Sequence, residues 1–292
     1  MTRKGFSLIE LLLALTVALV LAAMMFQLFH QNERVIRDQT VIMEMQQTAR
    51  IVASQIADEV RMAGQGVPLY ATSFDTAPSE AVAVILDSST ASRIDFRAGL
   101  SNLETSTSGS GPIDFSLGAS RSVSVATTAG FSVGKFVYIS ALSTNPTWAW
   151  LRGELTSVGS TTLTVTPRNT GTNDTAIHFA TPATVALEEA VSIYLSGGSV
   201  RRATATDMTN ASTPVWSPAN EIGKHFTALA FTYYDMYGNA VQPTSLLNRM
   251  AIARVDIRLT VEVANPLSNR IRPTYSLALR TIPRNVRIHY AN

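Results

Sequence analysis

Cysteine is absent from this 292-residue chain, and histidine occurs only four times. Without cysteine there is no disulfide, no thiol nucleophile and no cysteine-ligated metal. The histidines are scattered, and no HExxH pattern or i,i+4 pair joins them; they are His30, His178, His225 and His289. A GxSxG elbow, a phosphate-binding loop and a dinucleotide fingerprint are also missing. We therefore predict that the chain is not an enzyme, and we expect neither a metal nor a cofactor.

Charge is nearly absent from the segment 6–29, whose only ionisable side chain is Glu10. This segment is long enough to span a bilayer as a helix, and Arg3 and Lys4 precede it. An acid inside a membrane helix costs free energy and marks a functional position by default. Glu10 therefore needs a partner.

Three simpler explanations of the N-terminus compete. A secretory signal peptide would have a shorter apolar region without an acid, and a plain signal anchor would explain neither Gly5-Phe6 nor the position of Glu10. A wholly buried core helix would seldom run 24 residues without a polar face. None of the three accounts for Glu10.

The run Lys4-Gly5-Phe6-Ser7-Leu8-Ile9-Glu10 resembles the class III signal of type IV prepilins and type II secretion pseudopilins. The resemblance implies that a prepilin peptidase cuts between Gly5 and Phe6 and methylates the new amine of Phe6. It also implies that Glu10 pairs with the N-terminal amine of a neighbouring subunit during assembly. Such a pair makes physical sense, because an ammonium and a carboxylate neutralise each other where either alone would be costly.

This resemblance implies a non-enzymatic assembly subunit, a minor type IV pilin that primes or caps a pilus. Its expected partners are prepilin peptidase, the assembly platform and other pilins, major and minor, which it meets through the N-terminal helix. We expect a single-pass inner-membrane protein with residues 1–5 in the cytoplasm and the head outside, later placed at or near the filament tip. A minor pseudopilin of a type II secretion system is the first alternative.

The helical pattern continues beyond residue 29 and becomes amphipathic over residues 30–64. Its apolar face is formed by Val35, Ile42, Met45, Ala49, Val52, Ile56 and Val60. No proline or glycine interrupts residues 6–63, and Gly64 and Gly66 supply a stop signal. The sequence predicts one continuous helix roughly 87 Å long, at about 1.5 Å per residue.

Residues 65–292 predict a β-rich head, so the fold class is α+β, a long helix on a mainly antiparallel sheet. Residues 255–263 alternate apolar and polar side chains, as a strand with one buried face does. Further predicted strands are Ala81–Leu86, Arg93–Arg97, Lys135–Ala141, Trp148–Val158, Thr161–Thr166, Thr184–Leu195 and Val200–Ala203, with others around Phe231 and Leu277. A Ser/Gly-rich linker over residues 105–112 and a polar loop over residues 168–174 predict an inserted β-subdomain at about 113–182.

The order of these elements resembles the PilW group of minor pilins. Three short stretches resemble that group. They are Arg61-Met62-Ala63-Gly64 at the helix end, Tyr233-Tyr234-Asp235 with Gly238 at a turn, and Pro283-Arg284-Asn285 near the terminus. The PulJ/GspJ group of minor pseudopilins shares the leader and the general plan.

Cationic residues are unevenly distributed. Of 23 Lys+Arg and 21 Asp+Glu, removal of residues 1–5 takes away Arg3 and Lys4, leaving 21 of each. The mature chain is then formally neutral, so its charge predicts no general affinity for nucleic acid. Residues 244–292 nevertheless hold eight arginines and two acids, and we expect most of these arginines on solvated strand faces.

A tip adhesin or DNA-contacting subunit is the second alternative. It would use Arg270, Arg272 and Arg280 for nucleic acid, or Trp148 and Trp150 as an exposed stacking platform. The tryptophans are two residues apart and would share one face of a strand, where core packing is the competing explanation.

Overall fold

The computed structural model describes residues 8–68, 79–142, 148–171 and 176–283. One helix, α1 (Leu8–Arg61), precedes a head of seventeen described strands and a short helix, α2 (Leu246–Met250). A long helix followed by antiparallel sheets confirms the predicted α+β class.

The strands in chain order are β1 (Arg93–Arg97), β2 (Glu104–Ser106), β3 (Ile113–Ser116), β4 (Arg121–Ser124), β5 (Phe136–Leu142), β6 (Trp148–Val158), β7 (Thr162–Thr170), β8 (Ala176–Phe179), β9 (Thr184–Leu187), β10 (Ala190–Ser196), β11 (Ser199–Asp207), β12 (Val215–Trp216), β13 (Asn220–Lys224), β14 (Phe226–Tyr234), β15 (Ala240–Val241), β16 (Arg254–Glu262) and β17 (Thr274–Thr281).

The helix is unbroken from Leu8 to Arg61, because no proline or glycine interrupts its hydrogen bonds. It ends in turns containing Gly64 and Gly66, whose φ angles of 85° and 80° are left-handed and cheap only for glycine. The amide of Gly64 donates to the carbonyl of Arg97 at 2.8 Å, so the end of the helix is tied to β1. The predicted stop is confirmed.

The second half of α1 packs on a four-stranded sheet with the order β15-β14-β16-β17. Alternate apolar residues of β14 and β16, such as Phe231 and Ile257, face the helix and are buried. On the helix, burial begins at Met45. Val35, predicted on the buried face, is 51% exposed, which corrects that assignment. The head starts to cover α1 only several residues farther along.

A second sheet packs with α1 and the four-stranded sheet around one apolar cluster, which we call the first core. Its strand order is β1-β10-β11-β12, with β13 paired to β11. Gly223 in β13 allows the closest approach, because a Cβ there would lie 2.6 Å from Val52 Cγ2 of the helix and 2.6 Å from Phe226 Cε2. Glycine lets the strand backbone touch the helix.

Strands between Glu104 and Leu187 form a separate six-stranded sheet with the order β2-β9-β5-β6-β7-β4, together with the pair β3-β8. They enclose a second apolar cluster around Val137, Leu151 and Phe179. The stretch predicted as an insertion, 113–182, lies within these bounds, and its treatment as a subdomain stays a prediction.

Two strand predictions are wrong. Residues 81–86 form turns with a single bridge, from Ile85 to Phe96, instead of a strand. The predicted strand Thr184–Leu195 is divided into β9 and β10 at Glu188 and Glu189. Both departures occur where a buried charged network, described below, binds the backbone or turns a side chain inward.

Candidate assembly helix and its junctions with the head

The first half of α1 presents apolar side chains that the head leaves uncovered. Its most apolar window is long enough to cross a membrane, and none of it is buried within the structure. Exposed large side chains include Leu12, Leu19 and Phe29. A helix that is apolar all round and has no protein cover is suited to lipid or to neighbouring helices.

Glu10 lies in the first turn of α1 and is exposed. Gly5 and Phe6, the predicted cleavage and methylation residues, lie outside the described residues. Their roles and the pairing role of Glu10 stay predictions.

The β16–β17 loop of the head contacts α1 close to the apolar half of the helix. The Asp38 carboxylate accepts hydrogen bonds from the Ser268 amide at 3.1 and 3.3 Å and from the Ser268 hydroxyl. The hydroxyl bond is the main reason that the pKa of Asp38 lies below its ordinary value of 3.8. This junction holds the β16–β17 loop against the helix.

A second junction lies near the end of α1. Arg202 Nε donates to both carboxylate oxygens of Glu59 at 2.8 Å, and the Thr281 hydroxyl donates to the Ala57 carbonyl at 3.2 Å. Glu59 is nearly buried, so this ion pair is shielded from water. The head is thereby held on the helix by polar contacts as well as apolar packing.

The first core and the six-stranded sheet meet at a buried charged network. We call it the Glu188 network, and its members are Arg97, Tyr138, Arg152 and Glu188. Glu188 accepts from Arg97 Nε at 2.8 Å, from Arg152 Nε at 2.7 Å and from the Tyr138 hydroxyl at 3.0 Å. Each of the four side chains is almost completely buried. Arg97 comes from the first core, whereas Tyr138 and Arg152 come from the six-stranded sheet.

The Glu188 network holds two guanidinium groups for one carboxylate. Backbone carbonyls supply further acceptors, Ala83 and Ala211 for Arg97 and Met208 for Arg152. The Arg152 guanidinium also lies 4.1 Å from the centre of the Phe136 ring, a cation–π contact. Burial raises the pKa of Tyr138, so its phenol stays protonated and donates. These contacts make the network a structural joint.

The two tryptophans of the pair, Trp148 and Trp150, differ in solvent exposure. Trp148, at the beginning of β6, is 41% exposed, and Trp150 is 1% exposed within the first core. Core packing, the competing explanation, therefore holds for Trp150, and the alternative of a surface platform fails because such a platform needs both rings exposed. Position at the strand end, beyond the cover of the core, explains the exposure of Trp148.

The C-terminal arginines have different environments. Arg272 lies 3.4 Å from Glu262, Arg280 lies 3.5 Å from Asp256, and Arg270 is exposed. Arg249 departs from the expected solvated position: it is buried in α2 and pairs with Glu80 and with Asp87, the latter at 2.6 Å. Arg284 and Arg287 lie outside the described residues.

Sequence reasoning missed Arg97, Arg152, Glu188 and Arg249. One signal was present, since Glu188 and Glu189 interrupt an otherwise apolar run from Val185 to Val191. The partners of Glu188, Arg97 and Arg152, are 91 and 36 residues away in sequence, and no local pattern identifies them. Among the described residues, no group of three or more His, Asp or Glu is placed to hold a metal.

The decisive comparison concerns the N-terminus. Residues 1–26 match the family model described as the prokaryotic N-terminal methylation motif, and this match ends inside the exposed half of α1. The chain carries the N-terminus of a type IV pilin-like protein. For this pilin-like protein, the motif implies processing by a prepilin peptidase and interaction with other pilins. The motif and the apolar helix together indicate membrane anchoring and association with a pilus.

One solved structure similar to the pilin-like protein is a type IV-like pilin from Thermus thermophilus. It shares 8% sequence identity, covers 53% of this chain and 89% of its own, and has a TM-score of 0.25. A score this low carries no argument about the head. None of the curated proteins matches the chain.

Proposed function

We propose that this chain is a minor pilin, a structural subunit that primes or caps a type IV pilus. The observation that carries the proposal is the methylation motif placed on a continuous helix whose apolar half has no cover from its own head. In this proposal Gly5-Phe6 is the processing site, and the head lies outside the inner membrane. The assembly platform then extracts the subunit into the filament.

Glu10 acts in this proposal as one half of an intersubunit pair. Its partner is the methylated amine of Phe6 on a neighbouring subunit, created only when residues 1–5 are removed. Two such charges stabilise each other in a low-dielectric setting, and an unpaired one opposes packing. The pair sets the stagger between adjacent helices.

The test is to replace Glu10 with alanine and measure incorporation into sheared filaments from the native host. We expect cleavage and methylation to continue, seen by intact mass, and incorporation to fall by at least about tenfold, since breaking a buried ion pair costs about 3–5 kcal/mol. Glu33→Ala is the matched control on the same helix, because Glu33 is exposed beyond the apolar half. An uncut N-terminus in the unsubstituted protein, or normal incorporation of Glu10→Ala, contradicts the proposal.

A minor pseudopilin would satisfy the same observations. Deletion of the chain distinguishes the two machines, because loss of surface pili supports the pilus and loss of exoprotein secretion supports the pseudopilus. A DNA-binding or adhesive tip has less support, because Trp150 is buried and because Arg272 and Arg280 lie 3.4 and 3.5 Å from acids.

A further inference from the structure

We infer that the β16–β17 loop and the adjacent turns of α1 bind anionic lipid headgroups at the surface of the membrane that α1 enters. We call this surface the membrane-proximal patch, and its members are Arg34, Arg37, Arg270, Ile271 and Arg272. The inference rests on the proposed function, because it requires α1 to be inserted in a bilayer.

The position of the patch follows from the helix. Asp38, which holds the loop, lies nine residues after Phe29, or about 13.5 Å along the axis at about 1.5 Å per residue. Arg34 lies about 7.5 Å beyond Phe29 on the same scale. A headgroup layer is about 5–7 Å deep on each side of the hydrocarbon core. Arg34 is thus at the layer's outer edge, and long side chains from the loop extend toward it.

The charges of the patch suit an anionic surface. Arg34, Arg37 and Arg270 are exposed, and within the described ranges their side chains form no hydrogen bond or salt bridge; the Arg37 charge helps to lower the pKa of the neighbouring Asp38. Arg272 has one exposed contact of 3.4 Å, with Glu262. The acids nearby are Glu33, which contacts His30 at 3.5 Å, Asp38, which is occupied by Ser268, and Glu262. Four arginines and three acids leave one net positive charge, and three guanidiniums remain available for phosphate.

The loop geometry also points to use of the Arg270 side chain. The Arg270 amide donates to the Leu267 carbonyl at 2.8 Å, and the Leu267 amide donates to the Ile271 carbonyl at 2.9 Å. Arg270 has a φ of +64°, a conformation that glycine and asparagine adopt at lower cost. Next to it, Ile271 is 58% exposed. Arginine and an exposed apolar side chain are residue types that membrane-surface segments combine.

The experiment uses the full chain in vesicles, and the absence of native cysteine permits single-site labelling. Asn269→Cys places a fluorophore in the loop. Tyr237→Cys places it at the opposite end of the same sheet, a strand length or roughly 30 Å away. Leu15→Cys reports insertion of α1 through a quencher on the lipid acyl chain. For the labels at 269 and 237, the quencher is attached to the lipid headgroup. Two kinds of vesicle are compared, phosphatidylcholine alone and phosphatidylcholine mixed with phosphatidylglycerol.

We expect the label at 269 to be quenched more strongly than the label at 237, and only when phosphatidylglycerol is present. Arg270→Asn with Arg272→Gln reduces the loop's contact with the anionic surface, by about fivefold for each arginine removed. Arg168→Gln with Arg201→Gln, two arginines away from the patch, leaves it unchanged. Arg270→Asn alone keeps or raises the unfolding midpoint, which distinguishes a lost contact from a damaged fold.

Equal quenching at 269 and 237, or equal quenching at 269 in both lipid mixtures, overturns the inference when Leu15→Cys reports insertion. Absence of quenching at Leu15→Cys overturns the membrane placement in the proposed function, and the inference with it. The two failures are therefore distinguishable.

Discussion

The Glu188 carboxylate accepts three buried hydrogen bonds in the head. Its two oxygens accept from two guanidiniums and a phenol, all removed from water. A buried ion pair adds little when compared with a well-packed apolar core, but loss of one member leaves an uncompensated charge. The stability of the joint therefore depends on the carboxylate being present.

Replacing Glu188 with glutamine should lower the free energy of unfolding by about 3–5 kcal/mol, because two buried guanidiniums lose their counter-charge. Glu154→Gln is the matched control: Glu154 lies in β6, two residues after Arg152, and pairs with Arg168 at 2.6 Å, but Arg168 is about half exposed. That control should cost about 0–1 kcal/mol. Denaturant unfolding of both variants makes the measurement, and equal losses would show that burial of the network has no energetic consequence.

At the scale of the element, α1 is one helix with two environments. Residues 8–29 have no cover, and residues from Met45 onward are packed under the four-stranded sheet. Local propensity supports both halves equally, since neither contains proline or glycine. Only the second half contributes its apolar face to the stability of the head.

Ile56 and Ile51 compare the buried and exposed faces of the packed half of α1. Ile56 is 0% exposed and Ile51 is 59% exposed. Ile56→Ala should destabilise the head by about 2–5 kcal/mol through lost burial and the cavity left behind. Ile51→Ala should change stability by less than about 0.5 kcal/mol. Thermal unfolding measures both, and comparable shifts would contradict the packing described for α1.

Elements with a strong local period could be predicted from the sequence, and those bounded by distant partners could not. The alternation in residues 255–263 corresponds to β16, and β6 has the predicted bounds Trp148–Val158. Residues 81–86 have strand-like composition, yet the Ala81 and Ala83 carbonyls accept from Tyr138 and Arg97 instead of from a neighbouring strand. Such long-range hydrogen bonds have no signal in a local window.

The local part of the candidate site could likewise be predicted from the sequence, and the part that depends on distant contacts could not. The motif around Gly5, Phe6 and Glu10 is local, so the N-terminal family match agrees with the resemblance read from it. Exposure of a residue is not local, as the difference between Trp148 and Trp150 shows. The Asp38–Ser268 junction spans 230 residues and was found only in the folded chain.

For the whole molecule, the head should be independent of the apolar half of α1. Removal of residues 1–29 deletes no buried side chain among residues 8–29, because none of the described residues before Met45 is buried. We expect the remaining chain to be soluble without detergent and to unfold within about 0.5 kcal/mol of the full chain, as exposed changes generally do. Circular dichroism on heating makes the comparison. A truncated head that is unfolded would mean that the apolar half stabilises it.

The route by which α1 joins the head also has a mechanical consequence. A pull along the helix axis enters the head through the strands packed on α1, chiefly β16 and β17, and through the Glu59–Arg202 pair. The six-stranded sheet is attached beside this route, at the Glu188 network. Tension during extraction would therefore bypass that sheet. Its surface could keep its shape while the rest of the subunit bears the load.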